Sequence, residues 1–137
     1  MAAPNIVNVA TITGITTSLS GISTSVLDAL PIYKAGVSTI VTNAASSGKV
    51  LKINSLVATA IGDTTGVSVY LYNTASPHVS AGNTVSLATT MTIPLYSSLA
   101  VIDKSNSIYL EENTQIGVRA QSNAGTIDVV CSYEDIS

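Results

Sequence analysis

The sequence predicts an all-β protein: an antiparallel β-sandwich of jelly-roll-like topology, preceded by an extended N-terminal arm. From residue 37 onward, β-branched residues dominate and turn signals recur at short intervals, a pattern typical of sandwiches and jelly rolls. Within this region Val67, Val69 and Leu71 alternate with Ser and Tyr, so the aliphatic side chains are expected on one face of a strand. We therefore expect at least seven strands.

The predicted strands follow the turn signals in order along the chain. They are expected at residues 37–42, 50–60, 67–72, 85–94, 99–102, 107–110, 115–121 and 126–133. The first two strands are expected to form either a hairpin or a pair that switches between sheets. The loop at 122–125 is short and ends in glycine, which predicts a tight hairpin between the last two strands.

Residues 1–32 differ from the rest and are predicted to form an arm, with the sandwich domain at 33–137. Apolar residues recur at intervals of three and four, the spacing of one helix face; they are Ile12, Ile15, Leu19, Ile22 and Val26. The intervening Thr, Ser and Gly are weak helix formers, so an extended arm is favoured over a helical stalk. In either form these apolar residues need a cover, on a neighbouring subunit or on the chain's own sandwich.

Composition argues against several classes of function. Charged residues make up 9% of the 137 residues and the formal net charge is -3, so the surface is largely hydroxyl and amide, which suits protein–protein contact. The five Lys and Arg are scattered and offer no cluster for phosphates, which disfavours nucleic-acid binding. The N-terminus lacks the pattern of a signal peptide, and no uninterrupted apolar stretch of about 18 residues occurs, so no membrane association is expected.

The sequence shows no catalytic or metal-binding constellation, and no cofactor is expected. His78 is the only histidine, whereas metal sites and general-base catalysis draw on several groups. Cys131 has no histidine near it in sequence and is interpreted as a small buried residue. Glu111 and Glu112 are adjacent and would point to opposite faces of a strand, and the turn at 62–66 lacks the carboxylates of a calcium loop. We therefore expect a protein that is not an enzyme.

Two outward tyrosines and a polar loop form a candidate contact surface. Tyr70 and Tyr72 are expected on the face opposite the core, next to a loop at 73–83 that contains His78. Tyrosine rings suit such contacts because they bury area while their hydroxyls stay hydrogen-bonded. Since sugars favour an aromatic platform ringed by amides, a glycan or host receptor is an alternative ligand for this surface.

Several runs of sequence, spread over most of the chain, carry a resemblance to a known family. The first half contains VTNAASSGK at 41–49, VLKINSLV at 50–57 and VSVYLY at 67–72, and the second half contains DKSNSIYLEEN at 103–113, an alternating strand and DVVCSYEDI at 128–136. These runs resemble a recurrent module of tailed-phage virion proteins, and the order of the second half is similar to the ending of that module. The opening, MAAPNIVNVATITG, is also similar to small structural proteins of marine cyanophages.

The resemblance implies a non-enzymatic virion structural protein, assembled in the host cytoplasm. The leading hypothesis is a capsid decoration or cement protein, or another head-associated component, that assembles as multimers. Its expected partners are further copies of itself, for example as a trimer, and other virion proteins such as a major capsid protein. The alternative is a neck module or a tail- or head-fibre module that binds a receptor or glycan. Deleting residues 1–32 is expected to abolish incorporation while leaving the sandwich folded.

Overall fold

The computed structural model describes residues 9–23, 37–73, 84–121 and 125–137, and its regular secondary structure in these ranges is entirely β. The strands, in chain order, are β1 (Ile12–Ile22), β2 (Ser38–Asn43), β3 (Val50–Ile61), β4 (Thr65–Asn73), β5 (Thr84–Ile93), β6 (Ser98–Ile102), β7 (Ile108–Leu110), β8 (Thr114–Ala120) and β9 (Thr126–Ile136). The all-β prediction is confirmed. Residues 1–8, 24–36, 74–83 and 122–124 lie outside the described part of the chain.

The strands form two antiparallel sheets that enclose one core. The first sheet has the order β1-β9-β3-β6, and β7 pairs with β3 alongside β6; the second has the order β2-β8-β4-β5. Of the strands that follow one another in the chain, β4 and β5 pair directly, whereas most other connections cross from one sheet to the other. With β6 and β7 counted as one interrupted strand along β3, this is the interleaved order of a jelly roll. The predicted sandwich is therefore confirmed.

The core is aliphatic and is built by the alternation of side chains along each strand. On β3, Leu51 and Ile53 face inward; a register shift follows Ile53, after which Leu56, Ala58 and Ala60 continue on the same face. The extra residue at this bulge preserves the inward pattern. Each large aliphatic side chain buried in this way contributes about 1.5–3 kcal/mol. The fully buried large residues are Ile53, Leu56, Ile93, Leu110, Ile116, Ile127, Val67, Val69, Val118 and Val129.

A buried asparagine organises the connection between β2 and β3. The Asn43 amide nitrogen donates hydrogen bonds to the carbonyl oxygens of Lys49 and Leu110, at 2.9 and 3.0 Å. The Ser47 hydroxyl donates to the Asn43 side-chain oxygen at 2.6 Å. Since a buried amide is costly unless its polar atoms are paired, these bonds allow Asn43 to join β2 to β7 and to the loop before β3 from inside the fold.

The predicted hairpin between the last two strands is wrong. Both strands exist, but β8 lies in the second sheet between β2 and β4, and β9 lies in the first sheet between β1 and β3. A short loop with a glycine is compatible with a hairpin and equally with a corner between sheets, and the partner strands decide between them. The pair β2 and β3 likewise switches sheets, which is one of the two outcomes expected for it.

Residues 12–22, assigned to the arm from sequence, form an edge strand of the first sheet. Strand β1 runs antiparallel to β9, from Ile12 opposite Ile136 to Ile22 opposite Ile127. The helical alternative is therefore wrong for these residues, and the chain's own sandwich covers Leu19 and Ile22. The division of the chain at residues 32 and 33 stays a prediction, because it falls outside the described residues.

Candidate functional site

The five apolar residues of the predicted arm do not share one face. Ile15 and Leu19 face inward on β1, and Ile22 is buried. Ile12 is 63% exposed because residues separated by three positions lie on opposite faces of a strand. Val26 lies outside the described residues. The apolar residues spaced three and four positions apart between Ile12 and Ile22 therefore belong to a strand with a bulge near its end, and they do not form one face of a helix.

Gly21 forms the bulge near the end of β1 and holds this strand to β9. The register shifts between Leu19 and Ile22, and Gly21 has a φ of 67°, in the left-handed region that glycine adopts without strain. Its N–H donates to the Asp128 carboxylate on β9 at 2.9 Å. This extra residue turns Ile22 back into the core, and the bond to Asp128 fastens the end of β1.

The two tyrosines of the predicted contact surface have different environments. Tyr70 is half-buried, whereas Tyr72 is only 5% exposed and its hydroxyl shares a 2.5 Å hydrogen bond with Thr39 of β2. A Cβ added to Gly117 would lie 2.7 Å from the Tyr72 ring and would also collide with Val37. The Tyr72 ring therefore packs against Gly117 of β8, and burial raises the pKa of Tyr72 against the opposing effect of the Thr39 hydrogen bond.

The expectation that Tyr72 offers an open contact surface is therefore wrong within this chain, because neighbouring strands cover its ring. The outward direction was correct, since Val67 and Val69 are fully buried on the opposite face of β4. His78 lies outside the described residues, so its role in a contact surface stays a prediction.

The remaining candidate groups have structural environments. Cys131 is fully buried between β1 and β3, and burial raises the pKa of its thiol to about 12, which keeps it protonated and unreactive. The Glu112 carboxylate accepts the Gly48 N–H at 2.6 Å and so fixes a neighbouring loop. Within residues 9–23, 37–73, 84–121 and 125–137, no cluster of His, Cys, Asp or Glu is arranged to hold a metal.

Two ion pairs stand at the end of β9. The Lys49 ammonium lies 2.7 Å from the Asp135 carboxylate, and the Lys52 ammonium lies 3.9 Å from Glu134. Because Lys49 and Lys52 remain partly exposed, each pair contributes at most about 1 kcal/mol.

A feature that the sequence analysis did not predict is a set of exposed apolar side chains on β5, the last strand of the second sheet, and on the chain beside the end of β5. We call it the β5 surface; it comprises Ile61, Val85, Leu87, Met91, Leu95 and Tyr96, all exposed. Val85 and Met91 are opposite Leu71 and Val67 in register, so they belong to the core-facing side, yet they are 60% and 39% exposed at the sheet margin. The β5 surface therefore extends the hydrophobic core to the outside.

The turn after β5 brings the remaining members of the surface together. The Tyr96 N–H donates to the Ala60 carbonyl at 3.0 Å, and the Ala60 N–H donates to Ser97 at 3.1 Å, which places the turn beside the end of β3. Tyr96 itself is 74% exposed. A signal was present in the sequence, since no Asp, Glu, Lys or Arg occurs between residues 64 and 102.

The two long edge strands differ in regularity. Strand β5 has register shifts opposite Val67–Val69 and Val69–Tyr70, and Thr90 has a φ of 49°. Strand β1 keeps an unbroken register with β9 from Ile12 to Leu19. Bulges twist an edge away from further pairing, so β5 presents side chains to a partner whereas β1 presents a regular main chain.

No helix long and apolar enough to cross a membrane occurs in the described residues.

No protein-family model matches the chain, and no curated protein matches it. Among solved structures, the chain is similar to one described as the cyanophage Pam1 capsid asymmetric unit, with a TM-score of 0.32 and 11% identity over 98% of this chain and 91% of that one. At this TM-score the likeness carries no argument about function.

Proposed function

We propose that this chain is a non-enzymatic structural protein of a phage virion, a capsid decoration or cement protein or another head-associated component. The sequence resemblance to virion modules supports this proposal, and so does a jelly-roll sandwich whose described polar groups serve structure. Its partners are further copies of itself and other virion proteins such as a major capsid protein. Its location is the virion, after assembly in the host cytoplasm.

The β5 surface is the observation that carries the proposal. Monomeric soluble proteins rarely leave large contiguous apolar patches exposed, and such patches mark interaction sites. Apart from Ile61, its residues lie on a stretch without Asp, Glu, Lys or Arg, so a partner can cover this part of the surface without desolvating an ion. Association by buried apolar area fits a protein with only 9% charged residues.

The test is incorporation of a Met91→Lys variant into particles of the phage that encodes the chain. A lysine here places a charge in the β5 surface, and we expect the variant to bind particles at least tenfold more weakly than the natural protein. Tyr109→Lys on β7 is the control, because Tyr109 is 53% exposed and lies away from β5. Mass spectrometry of purified particles gives the occupancy.

Equal occupancy for Met91→Lys and the natural protein would contradict the role of the β5 surface. Absence of the natural protein from purified virions would contradict the proposed function altogether. Binding of the purified protein to host cells or lipopolysaccharide would favour the fibre or neck alternative, although the burial of Tyr72 removes one of the two rings considered for sugar binding.

A further inference from the structure

The edge of β1 carries main-chain groups that face away from the sandwich. Thr11 and Ser137 exchange hydrogen bonds, from Thr11 N–H to the Ser137 carbonyl at 2.9 Å and from Ser137 N–H to the Thr11 carbonyl at 3.1 Å. Bonded and non-bonded pairs alternate in an antiparallel ladder, and the register runs unbroken to Leu19. The N–H and C=O groups of Ile12, Gly14, Thr16 and Ser18 therefore point outward; we call them the β1 edge.

No described strand lies beside the β1 edge, and its sequence does not protect it. Edge strands of natural proteins are usually shielded by charge, proline, bulges or shortness. From Ile12 to Ser20 there is no charged residue and no proline. The other described edges are shielded: β2 is six residues long with a register shift, β5 is bulged, and β6 is five residues long and followed by Asp103 and Lys104.

We propose that the β1 edge pairs with the β1 edge of a second copy of this chain, antiparallel, across a two-fold axis at Thr16. Gly14 then lies opposite Ser18 of the second copy, and Thr16 lies opposite its own equivalent. These pairs form about six main-chain hydrogen bonds, and the two Thr16 side chains form a cross-strand threonine pair. The first sheets of the two copies become one continuous sheet.

A second copy fits this edge better than an unrelated strand for two reasons. An antiparallel pair of identical strands is self-complementary, so one sequence satisfies both sides of a two-fold interface. The edge is uncharged, so two copies that each carry a net charge of -3 meet without like charges directly opposite each other. The nearest carboxylates on β9 are one strand behind, and each has a partner: Asp128 accepts the Gly21 N–H, Glu134 lies 3.9 Å from the Lys52 ammonium, and Asp135 lies 2.7 Å from the Lys49 ammonium.

This pairing would be one contact of the proposed assembly, and its biological role rests on that proposed function. We expect the pairing to be weak by itself. The paired segments from Gly14 to Ser18 in the two copies bury less than the roughly 1,600 Å² of a standard interface. We expect a dimer in the micromolar to millimolar range, reinforced where other contacts hold many copies together. Sedimentation of the full chain over a concentration series measures it.

A Thr16→Pro variant tests the proposal directly. Proline removes the N–H that points outward and leaves the β9 pairing in place, because edge strands tolerate proline where the N–H faces solvent. We expect it to weaken dimerisation at least tenfold, whereas Thr16→Ala, which keeps the N–H, leaves the dimer within about threefold. Thermal unfolding checks that both variants fold. If Thr16→Pro does not fold, Ser18→Pro replaces it, because the Ser18 N–H also points outward.

Hydrogen exchange identifies the interface independently. In the dimer, amides of Gly14, Thr16 and Ser18 are expected to become protected with rising concentration, while those of Ile15 and Thr17 are protected throughout. A monomer at millimolar concentration, or a dimer without protection of these three amides, would overturn the proposal. So would a monomeric natural protein that loses particle binding on Thr16→Pro, since the edge would then take a strand of another virion protein. A dimer absent from virions would leave the pairing intact and refute the proposed function.

Discussion

The β1 edge and the β5 surface are two margins of one sandwich with opposite chemistry. Along β1 the outward side chains are mostly Gly, Ser and Thr and the main chain is regular, whereas along β5 the main chain is bulged and aliphatic side chains are exposed. Hydrogen-bonding groups in a row select another extended strand. Exposed aliphatic side chains select any apolar surface of matching shape. The two margins are therefore suited to different partners.

This difference indicates which margin can determine the specificity of assembly in a protein with few charges. A strand edge fixes direction and register through its ladder, so it suits contact between identical copies. An apolar surface supplies free energy without fixing orientation, so it suits attachment to a larger shell. Four predictions test this division, beginning with the largest expected effect.

Deletion of residues 1–32 is expected to destabilise the sandwich by about 4 kcal/mol or more, because it removes buried Ile22 and the partly buried Leu19 from the core. This replaces the expectation from sequence that the sandwich stays intact. Urea unfolding measures the change, and deletion of residues 1–8, which precede β1, is the control. An unchanged free energy of unfolding would show that β1 is not part of the folded unit.

The inward side chains of the two margins are expected to contribute differently to the free energy of unfolding. Ile93 of β5 is fully buried, whereas Ile15 of β1 is only partly covered. We expect Ile93→Ala to cost about 3 kcal/mol and Ile15→Ala about 1 kcal/mol. Equal losses in urea unfolding would mean that β1 is as deeply anchored as β5.

Labelling of Cys131 is expected to report the opening of β1. Cys131 of β9 pairs in register with Thr17 of β1 and Leu56 of β3, and burial raises the pKa of its thiol from 9.0 to about 12. The stability gained by burying the protonated thiol is therefore complete below pH 9 and is lost as the pH rises towards 12. At pH 8 the native protein should react slowly with thiol reagents.

Asp128→Ala removes the bond to Gly21 and is expected to accelerate that labelling roughly tenfold. Asp103→Ala, at the opposite margin of the sheet, is the matched control. Equal rates in the two variants would show that the thiol is reached by global unfolding and not by release of β1.

The ion pair beside the start of β1 is expected to have the smallest effect. Lys49→Ala should lower the free energy of unfolding by less than about 1 kcal/mol, and the loss should shrink in 1 M salt. Lys104→Ala at the turn between β6 and β7 is the control, with no change expected. A loss above 2 kcal/mol would mean that the Lys49 contact with Asp135 fixes the end of β9.

Much of the fold was predictable because strand formation is local. The alternation of Val67, Val69 and Leu71 marked β4, and proline at 94 ended β5. The site was less predictable. The prediction that Tyr72 is exposed was wrong because Gly117 of β8 and Thr39 of β2 cover its ring. The β5 surface was missed because an aliphatic residue at a sheet margin has the same sequence pattern as one in the core.

The amino-acid composition and the alternation of apolar and polar residues were enough to predict that this chain is all-β. They also predicted an aliphatic core and a surface poor in charge. The tertiary structure decided which strands became neighbours and which became edges. The short segment at residues 122–125 predicted a hairpin, yet β8 and β9 lie in different sheets because β9 pairs with β1 and β3. Pairing between strands distant in sequence left β1 and β5 at the margins, where contact with other chains becomes available.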